Sequence, residues 1–76
     1  MANDALDIWT VYAHPRDFPS GYIARRYEVT AGSIVPTVGT VTGETEEQVS
    51  RVMAEKGLHP IGREEGDDSV IVGSWI

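Results

Sequence analysis

His14, Arg16 and Asp17 stand together in His14-Pro15-Arg16-Asp17, and Arg25 and Arg26 follow a few residues later. An imidazole that titrates near neutrality, a carboxylate and a guanidinium are the groups needed for acid–base work on an anionic substrate, with the arginine neutralising the anion. The plainer reading of the same residues is structural: Asp17 caps its loop and pairs with an arginine. No wider catalytic constellation supports the first reading. There is no G-x-S-x-G elbow, no P-loop and no G-x-G-x-x-G, and Glu64-Glu65-Gly66-Asp67-Asp68 lacks the alternating oxygen spacing of a calcium loop. His14 and His59 are far apart and each precedes a proline, so a metal site would need both brought together with an acid such as Asp17. The chain has no cysteine, which removes disulfides and thiolate zinc or iron–sulfur sites. Neither a catalytic residue, a metal nor a cofactor is expected.

The elements that position these residues are two strands and a stiff connection. Ile8, Thr10 and Tyr12 alternate with Trp9, Val11 and Ala13, a period-2 run of β-branched and aromatic residues that suits a half-buried strand. From His14 to Gly21 two prolines remove ladder donors, and a loop follows. Alternation resumes at Tyr22: Ile23, Arg25, Tyr27 and Val29 share one face, and Tyr22, Ala24, Arg26, Glu28 and Thr30 the other. Arg25 and Arg26 therefore point to opposite sides of the sheet. The guanidinium beside Ile23, Tyr27 and Val29 needs a partner, and Asp17, Asp7, Glu28, the C-terminal carboxylate or an aromatic ring at Trp9 or Tyr12 can serve. Alternatively its stem lies over a ring with its head in water. Trp9, Tyr12, His14, Arg16, Asp17, Arg25 and Arg26 form the candidate binding set.

Further along, Ala31-Gly32-Ser33 is a turn and Ile34–Thr42 a poorer strand, whose Pro36 and Gly39 suit an edge or a bulge. Thr45-Glu46-Glu47-Gln48 has the form of a capping box, with Thr45 as N-cap and Gln48 reaching back, and predicts a helix over Glu46–Lys56. Val49, Val52, Met53 and the Lys56 stem make its apolar stripe, with Gly57 as the left-handed cap and Leu58 folding back. Leu58–Arg63 and Ser69–Ile76 pair through the acidic turn Glu64–Asp68. The near-continuous apolar run of the last strand predicts a central position, and Trp75-Ile76 is expected buried in a core or a dimer contact.

Seventy-six residues make a single domain near the size at which one core gives modest stability, with residues 1–5 as a flexible lead. The formal net charge is -6, and eight of the twelve acids fall between Glu44 and Asp68. That balance disfavours phosphate backbones and anionic membranes and admits a basic protein partner. Mimicry of nucleic acid needs denser acid than this. Stacking of single-stranded nucleic acid on Trp9, Tyr12, Tyr22 and Tyr27 is a third possibility, short of basic residues around the rings. No segment reaches the ~20 apolar residues of a membrane span, and no secretory pattern opens the chain, so a cytoplasmic protein is expected.

W-T-V-Y-x-H-P-x-D-F-P-x-x-Y-x-A-R-R-Y-E over Trp9–Glu28, G-L at Gly57-Leu58, R-x-x-G-D-D over Arg63–Asp68 and the apolar-x-x-Trp-apolar close at Val72–Ile76 resemble short bacterial and phage-borne hypothetical proteins of unassigned function. The resemblance spans nearly the whole chain and implies a complete bacterial protein, with no activity to transfer to Arg25, Arg26 or His14. The residues themselves predict an α+β domain: a small antiparallel or mixed sheet of four to five strands in βββαββ order, with one helix on one face. The leading expectation for function is a non-catalytic binding or accessory module acting through protein–protein contacts, with a homodimer through an edge strand or the Trp75-Ile76 end compatible. The second is a small enzyme or binder of an anionic metabolite using His14, Arg16, Asp17 and Arg25 or Arg26.

Overall fold

The computed structural model describes residues 6–62 and 70–76. The flexible lead expected over residues 1–5 and the acidic turn expected over Glu64–Asp68 lie outside the described residues. The elements run β1 (Leu6–Ala13), β2 (Tyr22–Thr30), β3 (Ser33–Gly43), α1 (Glu46–Glu55), β4 (Pro60–Gly62) and β5 (Ile71–Trp75). They form one five-stranded sheet in the order β3-β2-β1-β5-β4, with every pairing antiparallel. The expected α+β class and βββαββ order both hold.

The topology follows from short connections. β1, β2 and β3 form a meander, its second hairpin turning at Ala31-Gly32, where Gly32 takes φ +80°. β3 is then one edge, and α1 carries the chain across a single face of the sheet to β4 at the other edge. β5 returns between β4 and β1. β1 is the middle strand, because β2 and β5 both pair with it; β5, expected to be central, is an interior strand one place further out. Its apolar run reports pairing with a strand on each edge, which any interior strand shares.

The helix begins as its residues dictate. The Thr45 hydroxyl accepts the Gln48 N–H at 3.2 Å, and Glu46 and Glu47 sit at the positive end of the helix dipole. The Gln48 side chain reaches back one residue further than the capping-box pattern predicts, accepting the Glu44 N–H at 2.7 Å. At the other end Lys56 is the C-cap, where the sequence pattern placed it inside the helix. Gly57 at φ +83° donates to the Ala54 carbonyl and Leu58 to that of Met53, at 2.9 and 3.2 Å, the paired bonds of a Schellman motif. Leu58 then packs against the core.

The core lies between α1 and one face of the sheet. Val49 and Met53, four residues apart on the helix, are completely buried against Trp9, Val11 and Ala24, with Val52, Leu58, Val72 and Trp75 at the margin. Trp75 thus belongs to this intramolecular core. Ile76, expected to be buried beside it, is 39% exposed, and its backbone is held in place: His59 and Ile76 exchange N–H···O bonds of 2.6 and 2.9 Å that extend the β4–β5 pairing. Within the described residues β4 covers Pro60–Gly62, starting two residues after the expected Leu58, and Gly62 takes φ +77°.

Two substitutions separate capping from packing. Gly57→Ala meets no atom within 4 Å, so its cost is purely conformational and should be about 1 kcal/mol of unfolding free energy. Met53→Ala should cost more, about 2–5 kcal/mol, by opening the core. Urea midpoints at unchanged slope check both.

Candidate binding face

Strand alternation sends Ile8, Thr10 and Tyr12 to the side of the sheet away from α1, since Trp9 and Val11 take the helix side. Cross-strand pairing brings Tyr27 beside Ile8, Arg25 beside Thr10 and Ile23 beside Tyr12 from β2, and Ser74 and Ile71 beside Thr10 and Tyr12 from β5. Ile34 joins from β3, opposite Val29. Ile8, Thr10, Tyr12, Tyr27, Ile34, Ile71 and Ser74 line a shallow concavity of about 230 Å³ on this helix-free face.

Its polar groups bond to one another. The Tyr12 and Tyr27 hydroxyls meet at 2.7 Å across the Thr10–Arg25 pair, and Thr10 and Ser74 share a 3.3 Å hydroxyl contact. Arg25 forms an ion pair with Asp17, which the connecting loop delivers to the margin of the face. Burial, followed by the hydrogen bond and negative charge of Tyr27, pushes the Tyr12 phenol well above the usual tyrosine range; Asp17 adds to this, and Arg25 opposes it.

The loop that presents Asp17 is tied at both ends. The Ala13 N–H bonds to the Val70 carbonyl, and the His14 N–H to that of Gly21 at 2.8 Å. Between them Phe18 donates to the Pro15 carbonyl at 3.0 Å. His14 has φ +49°, the left-handed region that few residues with a side chain occupy. Its Nδ1–H donates to the Pro19 carbonyl at 3.0 Å, and its ring lies 5.1 Å from that of Tyr22, so the imidazole braces the loop. Gly21 permits the loop's return, because a Cβ there would stand 2.5 Å from the Gly43 carbonyl oxygen.

The candidate set therefore divides. Tyr12, Asp17 and Arg25 gather on the helix-free face. Trp9 lies on the helix side, 8% exposed, with the Lys56 ammonium 5.1 Å from its ring centre. Arg26 is on that side too, donating to Asp7 at 3.1 Å and to the Thr37 hydroxyl at 3.2 Å. The same hydroxyl donates to the Arg26 carbonyl and accepts the Gly39 N–H, which organises the bulge where β3 runs past Arg26. His14 is held in the loop, and Arg16 is exposed. With side-chain exposures of 36% and 60% for Arg25–Asp17, and 32% and 45% for Arg26–Asp7, each pair is worth at most about 1 kcal/mol. These pairs orient the guanidinium groups more than they stabilise the fold. Both acids were among the partners that the sequence nominated.

Tyr27, Ile8, Thr10, Ile34, Ile71 and Ser74 were not in the candidate set. The alternation places Ile8 and Thr10 with Tyr12, and Tyr27 with Arg25, but nothing in it tells which face the helix leaves open. Among the described residues no three histidine or acidic side chains converge as metal ligands, and no helix is long and apolar enough to cross a membrane. Comparison with protein-family models, with curated proteins and with solved structures finds no match for the chain.

The raised Tyr12 pKa has a sign. The unfolded phenol releases its proton near pH 10 while the folded one retains it, so this contribution to stability is intact below pH ~10 and is lost as pH rises beyond it. Tyr12→Phe should flatten the fall in unfolding free energy above pH 10. It should also remove the latest-ionising tyrosine from an ultraviolet titration.

Proposed function

We propose that this protein is a non-catalytic binding module, bacterial and cytoplasmic, that acts through protein–protein contacts on the helix-free face of its sheet. One observation carries the reading: the hydroxyls of that face are bonded among themselves while, among the described residues, no helix or strand packs over it and apolar side chains at its margin stand open. Ile34 is 68% exposed and Leu6 50%. A partner covering such a face gains apolar burial of about 25 cal/mol per Å² and strands no hydrogen-bonding group. A polar rim and a dry centre are the usual anatomy of a protein interface.

The reading as an anion binder or small enzyme fits less well. Arg25 and Arg26 each hold a carboxylate already, on opposite faces, and the Nδ1–H of His14 is committed to a carbonyl. An anion at Arg25 would have to displace Asp17. Stacking of single-stranded nucleic acid loses its platform, since Trp9 is in the core and Tyr22 packs against it, and the net charge of -6 opposes a phosphate backbone.

Affinity capture from a bacterial lysate tests the proposal. Immobilised parent should retain a protein that Ile34→Glu loses at least tenfold, whereas Glu47→Lys, on the exposed side of α1, should retain it fully. Equal retention by parent and Ile34→Glu overturns the reading. Perturbation of Arg25 resonances by millimolar inorganic phosphate would favour the anion binder.

A further inference from the structure

We propose that the occupant of the helix-free face is a second copy of this chain, packed sheet against sheet about a two-fold axis. The inference rests on the reading above and names its partner. Three observations carry it.

The first is charge. The side chains lining the concavity are all uncharged, and the ion pair at its margin, Arg25 with Asp17, sums to zero. Glu44, Glu46, Glu47 and Glu55 belong to α1 and its N-terminal approach, across the sheet. A chain of net charge -6 meets its own copy most easily through a neutral face with these acids turned outward. Two sheets pack about 10 Å apart, so the helices on the outer sides stand roughly 30 Å from one another, several Debye lengths at physiological salt. A strongly basic partner, the other occupant that the composition admits, finds little on this face to recognise.

The second is area. β3, β2, β1 and β5 together span roughly 19 Å at the usual strand spacing, and the eight residues of β1 about 26 Å, giving roughly 500 Å² in projection before side-chain relief is added. A modest specific interface needs about 600–800 Å² from each partner. The face is of that order once side-chain relief is added.

The third is self-complementarity. A two-fold contact needs one patch that offers both a projection and a hollow. Ile34, 68% exposed at the β3 side, and the 230 Å³ concavity whose wall it forms supply these on the same surface. The Trp75-Ile76 end, one alternative site for self-association, is already engaged: Trp75 packs against the core, and the Ile76 backbone is paired with His59.

Sedimentation velocity over a micromolar concentration series, with sheet content checked by circular dichroism, tests the proposal on the intact chain. The parent should pass from monomer to dimer in that range. Ile8→Lys, which sets an ammonium group in the apolar lining of each copy, should weaken association about tenfold or more. Ile34→Lys should do the same, and its 68% exposure keeps the test valid if Ile8→Lys fails to fold. Glu47→Lys, on the exposed side of α1, should dimerise like the parent. A parent that stays monomeric at several hundred micromolar overturns the second copy but leaves the binding face itself to the capture experiment, where Ile34→Glu decides. A dimer that survives Ile34→Lys undiminished is not joined through this face, and also overturns the proposal.

Discussion

A β-sheet has two faces, and among the described residues this chain supplies one helix of ten residues to cover them. Most other features of the molecule depend on that inequality. The covered face becomes the core, where Val49 and Met53 press onto Trp9, Val11 and Ala24. Among the described residues, no helix or strand lies over Ile8, Tyr12, Tyr27, Ile34 and Ile71 on the other face. Stable domains are built from packed layers, and an open apolar layer is the feature on which the proposed function rests. The internal pairing of its hydroxyls, Tyr12 with Tyr27 and Thr10 with Ser74, is what makes that surface cheap to desolvate.

The same two-sidedness governs the basic residues. Adjacent positions in a strand cannot act together, and Arg25 and Arg26 accordingly serve different faces with different acids. Arg25 takes Asp17 from the loop; Arg26 takes Asp7 from β1 and the Thr37 hydroxyl from β3. Each interaction spans elements distant in sequence, and each is too exposed to add much stability. Their effect is positional. One holds the loop against the helix-free face, and the other anchors the β3 bulge, leaving Val38 at its exposed outer edge. The strained φ of His14 belongs to the same arrangement, because the tight departure from β1 is what brings Asp17 within reach of Arg25.

Much of this architecture is local and therefore readable from the sequence. Period-2 alternation places β1 and β2. Thr45 and Gly57 bracket the helix because a hydroxyl acceptor before the first turn and a left-handed residue after the last satisfy backbone groups that nothing else nearby can reach. Boundaries drift where two local solutions compete: Gln48 bonds the Glu44 N–H where the capping pattern expects Thr45, and Lys56 closes the helix where its stem suggested one more helical residue. Asp7 and Asp17 were legible as arginine partners on charge alone. Their assignment to Arg26 and Arg25 was not, since it depends on which strand each acid faces.

What the sequence determined by itself is the α+β composition, the element order, the helix caps and the division of each strand's residues into two sets. Those are consequences of dihedral preference and periodicity within a few residues. Only the tertiary structure decided which set the helix covers. Ile23, Tyr27 and Val29 are as apolar as Trp9, Val11 and Ala24, and no local signal ranks them. The choice is made by the crossover from the β3 edge to β4 and by the fit of Val49 and Met53 against Val11 and Ala24, contacts between segments far apart in the chain. That choice sends Trp9 into the core, gathers Tyr12, Tyr27, Arg25 and Asp17 on the outside, and so makes the face on which the proposed function rests.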